Sequence, residues 1–418
     1  MGSDSTRTGL STTGVHGGAE PAVRGAPVVP PIVQSATFFG GGVGDTELLY
    51  TRYGNNPTQL ALGRKVAALE GTEASLPFGS GMGAIAATIL ALAEAGDHVV
   101  ASRFLYGATK VLLETELPRR GVETTFVDPL SSDAWTAAIR PNTRVLYLEL
   151  PTNPTLRVFD PRLPAVLSRA REIALVADVT FASPVNFRGA EWGIDAVIHS
   201  ATKYLGGHSD LIAGVVSGSS ALIERIRGML KLYGAAIDPH AAWLLDRGIR
   251  TLSVRMERHN RNGMELARWF AERPEVAAVV YPGLPDHPDH ALATELLDGY
   301  GGMVGVVLRD GAAADAFCGA LELARVAPSL GGVETLVSQP RYTSHVAQST
   351  GEREALGIPD GFVRLSLGIE DADDLKRDFE RGLAAGSGAE TGSRVEASTS
   401  SVPDADQPGA PGGRRARG

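Results

Sequence analysis

Short apolar runs alternate with longer amphipathic stretches between about residues 80 and 200. The apolar runs predict buried strands over 98–101, 124–127, 145–148, 174–177 and 196–199. Between them, apolar residues recur at the spacing of one helix face, which predicts helices over 83–95, 108–119 and 162–172. Such alternation is typical of a mainly parallel sheet with helices on both faces, so the sequence predicts an α/β fold.

The pattern changes after about residue 252. A long helical stretch over 253–270 leads into a smaller α/β portion that ends near residue 385. We therefore expect a large domain over 56–252 and a small C-terminal domain over 253–385. Residues 1–14 are rich in Ser, Thr and Gly and are expected to be loose. Residues 386–418 contain few large apolar side chains, and such a composition predicts a disordered tail because it cannot offset the ordering entropy.

Composition narrows the class of protein. The net charge of −9 argues against nucleic-acid binding, which needs a basic face. The lone Cys318 excludes an intrachain disulfide and suits a reducing, cytoplasmic setting. We expect no secretory signal. We also expect no membrane-spanning segment, because the apolar stretch over 84–95 is too short to cross a bilayer.

Lys203 is the most informative single residue. It follows the predicted strand 196–199 and precedes a pair of glycines. A lysine at the carboxyl end of a buried strand can be partly desolvated and can then form a Schiff base. The hydroxyls of Ser200 and Thr202 can bind a phosphate. Taken alone, the segment also fits an ordinary surface lysine.

Other residues with useful chemistry fall at strand ends, where doubly wound sheets bind ligands. Asp178 follows strand 174–177 and could pair with a protonated pyridine nitrogen, or could cap a turn. The glycine-rich segment 79–83 opens a helix, which favours an anion. It also loosely suggests a dinucleotide fingerprint, but the strand over 98–101 is not followed by the acidic residue that this would require.

Tyr106, Asn153 and Arg364 are further candidates. The ring of Tyr106 could stack on a flat heterocycle and its hydroxyl could move protons, or it could be a core residue. Asn153 lies with Glu149 in a proline-rich turn that could be only a rigid loop. Arg364 interrupts an apolar strand and needs a counter-charge, either a substrate carboxylate or a structural ion pair. The acidic and histidine residues of 286–290 are interpreted as a solvated loop, and no metal site is expected.

Several ordered motifs resemble the pyridoxal-phosphate (PLP) enzymes of cysteine and methionine metabolism. That family includes cystathionine γ-synthase, the cystathionine lyases, methionine γ-lyase and the O-acylhomoserine sulfhydrylases. The resemblance runs from about residue 30 to 379. Its motifs are Tyr50-Thr-Arg52, Asn56-Pro-Thr58, Gly81-Met82, Tyr106-Gly107, Glu149-Leu-Pro-Thr-Asn153-Pro, Asp178-Val-Thr180-Phe, Ser200-Ala-Thr-Lys203-Tyr, Ser329-Leu-Gly-Gly-Val-Glu334-Thr and Arg364-Leu-Ser-Leu-Gly-Ile-Glu370-Asp.

The resemblance implies a PLP-dependent transferase fold of the aspartate-aminotransferase type, with PLP as cofactor. It implies that Lys203 forms the Schiff base and moves protons, that Asp178 pairs with the ring nitrogen and that Tyr106 stacks on the ring and assists as acid or base. The phosphate-binding residues it implies are Gly81, Met82, Ser200 and Thr202.

The resemblance also implies how substrate and subunits are arranged. Asn153 and Arg364 would bind the substrate carboxylate, with help from Ser329 and Leu330, and Glu334 matches an acidic position of cystathionine enzymes. Tyr50 and Arg52, in an N-terminal arm over 1–55, would reach the phosphate of a neighbouring subunit. The active unit would then be a homodimer, commonly paired into a homotetramer.

The activity implied is γ-elimination or γ-replacement on a sulfur- or oxygen-substituted amino acid. Cystathionine γ-synthase or γ-lyase activity, methionine γ-lyase activity and O-acylhomoserine sulfhydrylase activity all stay open. Ala108 stands where many methionine γ-lyases have a cysteine, and Leu49 stands where cystathionine-handling members often have an acidic residue. Within the same fold, β-elimination and aminotransfer are alternatives, and a dinucleotide-binding oxidoreductase is the alternative from another class.

Overall fold

The computed structural model describes residues 8–21, 23–40, 48–346 and 348–388. Its large sheet has seven strands in the order β1-β7-β6-β5-β4-β2-β3. Strand β7 runs antiparallel to both of its neighbours, and the other neighbouring pairs are parallel. The strands are β1 Ala74–Phe78, β2 His98–Ser102, β3 Glu123–Val127, β4 Thr143–Glu149, β5 Ala174–Asp178, β6 Ala196–His199 and β7 Gly214–Gly218.

Helices cover both faces of this sheet, which is why its central strands are nearly continuous apolar runs. One face packs on a cluster that includes Ile89 and Ile226, and the other packs on a cluster that includes Trp135 and Ala165. The helices up to residue 249 are α1 Leu10–His16, α2 Pro57–Glu70, α3 Gly81–Leu92, α4 Gly107–Val111, α5 Ser132–Ala138, α6 Arg162–Arg171, α7 Ser183–Asn186, α8 Ser220–Tyr233 and α9 Pro239–Ile249.

A second, mostly antiparallel sheet of five strands follows, in the order β10-β11-β12-β9-β8. Its core includes Phe270, Phe317 and Phe379, which come from three different helices. The elements of this part are α10 Leu252–Ala271, β8 Val276–Val280, α11 His290–Leu296, β9 Met303–Leu308, α12 Gly311–Gly319, β10 Arg325–Val326, β11 Leu336–Ser338, α13 Thr350–Ala355, β12 Phe362–Ser366 and α14 Ala372–Gly388.

The predicted α/β fold with a mainly parallel large sheet is confirmed. Each predicted strand occurs and is at most three residues longer than expected, whereas β1 and β7 were not predicted as strands. The two sheets span residues 74–218 and 276–366, on either side of residue 252. The domain boundaries themselves stay a prediction. None of the helices in the described ranges is long and apolar enough to cross a membrane.

Three local expectations are wrong. The single helix expected over 108–119 is instead three short pieces. They are α4, a π-helical turn over Leu112–Glu116 and a 3-10 turn over Pro118–Arg120. Residues 10–14 are helical rather than loose, because α1 contacts α2 and its carbonyls at Gly14 and Val15 accept hydrogen bonds from Lys65. The C-terminal helix continues to Gly388, so residues 386–388 of the predicted disordered tail are helical, and residues 389–418 lie outside the described residues.

The loop over 286–290 is not simply solvated. Asp289 is buried and accepts two hydrogen bonds from the guanidinium of Arg157, at 2.6 and 2.9 Å, and one from the backbone N–H of Val158 at 2.9 Å. His287 is also buried, whereas Asp286 is exposed. The acidic residue therefore ties this loop to the segment that follows β4. In the described part of the chain, no group of three or more His, Cys, Asp or Glu residues could hold a metal ion.

We predict that Asp289→Asn lowers the free energy of unfolding by about 2–3 kcal/mol, because it leaves a largely desolvated guanidinium without its carboxylate. Asp286→Asn makes the same chemical change on an exposed side chain of the same loop and should have little effect. Urea denaturation of both variants checks this. Equal stabilities for the two variants would contradict the assigned role of Asp289.

Candidate active site

A cavity of about 600 Å³ opens where β4, β5 and β6 end, against the first turn of α3. Parallel strands bring their carboxyl ends to one edge of a sheet, and the loop before β11 closes the cavity from the C-terminal portion. Most of the residues predicted from the sequence line this cavity. They are Gly81, Met82, Tyr106, Asn153, Asp178, Ser200, Thr202, Lys203, Ser329, Leu330 and Arg364.

Lys203 lies in the turn after β6, and its Nζ donates a hydrogen bond to Ser329 Oγ at 2.8 Å. Burial, and secondly the positive charge of Arg364, lowers the pKa of Lys203 from 10.5 to about 8. A lysine with this pKa is partly neutral near neutral pH, and the neutral amine is the nucleophilic form.

Asp178 is a buried carboxylate at the end of β5. Its Oδ1 accepts hydrogen bonds from the backbone N–H of Thr180, at 3.0 Å, and from the Thr180 hydroxyl. The same hydroxyl oxygen accepts the backbone N–H of Ser200 at 2.8 Å, so Thr180 joins the ends of β5 and β6. Burial raises the pKa of Asp178, and the hydrogen bonds from Thr180 partly oppose that shift. No lysine or arginine within the described ranges forms an ion pair with it, so a cationic N–H in the cavity would supply its missing partner.

The start of α3 can accept an anion. A Cβ atom at Gly81 would lie 2.8 Å from the Cβ of Ser200, so a larger side chain would not fit without a shift. Ser80 caps the helix by accepting a hydrogen bond from Gly83 N–H. Thr202 lies beside these residues, but its hydroxyl already exchanges hydrogen bonds with the backbone of Ala213. The backbone and dipole of this 12-residue helix are therefore the main anion-binding features.

Arg364 is buried in β12 and has no acidic partner among the residues that the structure describes. Its Nη1 donates to Asn153 Oδ1 at 3.1 Å, and its Nη2 donates to the carbonyl of Ser329 at 2.9 Å. Burial lowers the pKa of Arg364 to about 10. Ser329 adopts a φ of 88°, a left-handed conformation that is uncommon outside glycine. Within the described ranges, the structural ion pair considered from the sequence does not form, and Arg364 lines the cavity.

Tyr106 and Glu149 form part of the cavity wall. The tyrosine side chain is 42 % exposed, and its backbone N–H donates to Glu149 Oε2 at 2.6 Å. The other oxygen, Oε1, accepts the backbone N–H of Asn153 at 3.0 Å. Burial, and secondly the charge of Asp178, raises the pKa of Glu149 to about 8.

Glu149 and Thr180 were not among the predicted site residues. Both belong to the motifs quoted for the family resemblance, and for Glu149 a rigid turn was one of the alternatives left open. The pairing of Glu149 with Asp178 across β4 and β5 is what places it at the cavity, and this register is not visible in the separate motifs.

Three predicted residues lie outside this cavity. The guanidinium of Arg52 stacks on the rings of Tyr50 and Tyr53, with its carbon 5.4 and 5.0 Å from their centres, and it donates a hydrogen bond to the carbonyl of Lys231. Glu334 accepts a hydrogen bond from the hydroxyl of Ser209. Within a single chain, none of Tyr50, Arg52 and Glu334 lines the cavity.

Comparison with known proteins identifies the family. The family described as Cys/Met metabolism PLP-dependent enzyme matches residues 11–384. This chain belongs to that family. The predicted family, the PLP cofactor and the enzymatic nature of the protein are thereby confirmed, and nothing supports the dinucleotide-binding alternative.

Relatives of this PLP-dependent enzyme span almost its whole length. The L-methionine γ-lyase of Fusobacterium nucleatum is 40% identical over 390 residues, which cover 90% of this chain and 98% of the relative. The cystathionine γ-lyase of Bacillus subtilis is 41% identical over 371 residues, which cover 88% and 97%. Among solved structures, cystathionine γ-lyase from Lactobacillus plantarum in complex with L-serine superposes with a TM-score of 0.86 at 37% identity, covering 90% of this chain and 99% of that one.

The cavity fits the family's cofactor. PLP carries a phosphate, a ring nitrogen that can be protonated and an aldehyde that reacts with amines. The cavity offers a helix N-terminus with a glycine close to Ser200, a buried carboxylate without an ion-pair partner, and a lysine of lowered pKa. These three features suit the three parts of PLP.

The nucleophilicity of Lys203 should follow its lowered pKa. In cofactor-free protein, we expect the rate of Lys203 modification by trinitrobenzenesulfonate to rise with pH and reach half its maximum near pH 8, as its pKa of about 8 requires. Lys376 is a control within the same molecule, because hydrogen bonds from its ammonium to Glu265 and Asp373 raise its pKa above the usual 10.5. Mass spectrometry of labelled peptides measures both rates, and parallel pH profiles for the two lysines would contradict the assignment.

Proposed function

We propose that this enzyme catalyses γ-elimination or γ-replacement on a sulfur- or oxygen-substituted amino acid. Two relatives of about 40% identity are named methionine γ-lyase and cystathionine γ-lyase, and a cystathionine γ-synthase of Nicotiana tabacum is 37% identical. When bound, PLP supplies an electron sink that makes the α-proton of an amino acid acidic. The protein's part is to bind the substrate, to orient it and to move protons.

The observation that best supports this proposal is the unpaired charge of Arg364 in the cavity that also contains Lys203. A buried guanidinium without a carboxylate is costly, and an amino-acid carboxylate can form two parallel hydrogen bonds with it. Asn153 contacts the same guanidinium and supplies further hydrogen-bonding groups for the carboxylate. The carbonyl of Ser329 fixes the other end of the guanidinium. Leu330 and Arg364 both line the cavity that contains Lys203, so a carboxylate bound by Arg364 would lie within it.

We assign the proton transfers to Lys203 and Tyr106. Lys203 has the lowered pKa of a group that can accept and return a proton near neutral pH, and Ser329 Oγ orients its Nζ. Tyr106 would stack on the cofactor ring and assist departure of the γ-substituent. Asp178 would accept the ring N–H, while Gly81, Met82, Ser200 and Thr202 would surround the phosphate.

Product analysis separates the possible reactions. We predict that methionine, cystathionine, O-acetylhomoserine or O-succinylhomoserine, supplied with or without cysteine or sulfide, gives 2-oxobutanoate or a γ-substituted amino acid. Lys203→Ala should abolish turnover, because no other lysine lines the cavity among the residues that the structure describes. Liquid chromatography with mass spectrometry identifies the products.

Other products would point to other reactions of the same cofactor. Pyruvate would indicate β-elimination, as the name of the cystathionine β-lyase relative from Coxiella burnetii describes for that protein. A keto acid with its γ-substituent retained would indicate aminotransfer. Either result as the main outcome would contradict the proposed γ-chemistry.

We also propose that the working unit is a homodimer, or a homotetramer of two such dimers, with sites shared between subunits. The N-terminal arm exposes apolar side chains that a folded domain normally covers, including Val28 at 96 % and Phe39 at 109 % of full exposure. Tyr50 and Arg52 carry phosphate-binding chemistry but lie outside the cavity of their own chain. An arm that crosses to the neighbouring subunit would account for both observations.

Mixing two inactive variants tests this arrangement. Lys203→Ala and Arg52→Ala proteins, unfolded and refolded together in equal amounts, should recover about one quarter of wild-type activity, because half of the random dimers are mixed and each has one intact site. Arg119→Ala, a change at an exposed arginine paired with Glu116, is a control that should keep full activity. A mixture no more active than the mean of its two parents would show that each site belongs to a single chain.

A further inference from the structure

Glu149 is a buried carboxyl to which the proposed function assigns no role in proton transfer, cofactor binding or substrate binding. It ends β4, directly beside Asp178 on β5, and it lines the cavity. It is only 5 % exposed, and no lysine or arginine of the described residues pairs with it. A carboxyl placed there is costly unless its oxygens accept hydrogen bonds.

Both oxygens of Glu149 do accept hydrogen bonds, and the two donors come from different walls of the cavity. Oε2 accepts the backbone N–H of Tyr106, the residue that precedes α4 and carries the ring facing the cavity. Oε1 accepts the backbone N–H of Asn153, in the turn after β4. The side chain of Asn153 in turn accepts a hydrogen bond from Arg364. One rigid, planar group thus connects the aromatic wall with the arginine that faces a substrate carboxylate.

We propose that Glu149 is a positioning residue, which sets the distance between Tyr106 and Asn153 and so aligns the cofactor ring with the substrate carboxylate. This inference rests on the proposed function for its substrate-binding part only. A carboxyl group is suited to the task because each of its two oxygens can accept an N–H. A glutamine has one oxygen and an NH₂ group, so it can satisfy only one of the two backbone donors.

Glu149→Gln should therefore break one of the two hydrogen bonds, so that either Tyr106 or Asn153 is no longer held in place. We expect KM to rise by about tenfold or more and the dissociation constant of PLP to rise by about tenfold, as befits loss of a buried hydrogen bond. The circular dichroism of the bound cofactor in the visible range should decrease, because Tyr106 no longer holds the ring in one orientation. Binding of PLP to cofactor-free protein is measured by fluorescence titration, and KM and kcat are measured separately.

Asp378→Asn is the matched control. Asp378 is a buried carboxylate in α14 that accepts backbone N–H groups of Glu322, Leu323 and Ala324 in the C-terminal portion, and it does not line the cavity. The control should lower the melting temperature but leave KM and PLP affinity within twofold of wild type. If Glu149→Gln also lowers only the melting temperature, Glu149 is merely structural and the proposal fails.

A second variant covers the case in which Glu149→Gln does not fold. Glu149→Asp keeps both oxygens but is one methylene shorter, so it should raise KM and the PLP dissociation constant by smaller factors. Unchanged values for a folded Glu149→Asp protein would overturn the proposal. The PLP titration and circular dichroism need no substrate, so they decide the role of Glu149 even if wild-type protein fails to convert the γ-substituted amino acids.

Discussion

The parallel pairing of β4, β5 and β6 is the constraint on which the site depends. Because these strands run in one direction, their carboxyl ends meet at one edge, and each delivers a polar residue there: Glu149, Asp178 and, one turn further on, Lys203. The hydrophobic clusters on both faces of the sheet make this edge rigid. Glu149 and Asp178 are therefore held by strands, and Lys203 by the turn directly after one, as a preorganised site requires.

The cavity at this edge contains charged side chains that no ion pair among the described residues neutralises. Within the described residues, Lys203, Asp178 and Arg364 are desolvated and none has an oppositely charged partner in an ion pair. Burial accordingly lowers the pKa of Lys203 and of Arg364 and raises that of Asp178. Unpaired buried charges destabilise a folded chain, so they are expected where a ligand supplies the missing partner. Asp289 shows the contrast, because its charge is paired with Arg157 and it lies outside the cavity.

Sequence patterns predicted those site residues that lie next to a recognisable strand end or helix start. Asp178 and Lys203 directly follow apolar runs, and Gly81 opens a helix after another, so their places at strand and helix ends could be inferred. For Glu149 the sequence left a rigid loop open as an alternative, and its pairing with Asp178 shows that it lies at the cavity. The family resemblance supplied Glu334 as a substrate residue, and that role stays a prediction; within one chain its carboxylate accepts a hydrogen bond from Ser209. The loop around Asp289 was misread because its partner, Arg157, lies far away along the chain.

By itself the sequence determined the α/β class, most of the strands of the large sheet and the chemical character of the cavity. These depend on apolar periodicity and on residues next to strand ends, which are local properties. Only the tertiary structure decided which donors the oxygens of Glu149 and Asp178 accept, that Arg364 has no acidic partner in the described chain, and that Arg52 lies away from its own cavity. Those facts depend on strand register and on contacts between residues distant in sequence, and local patterns carry no information about such distances.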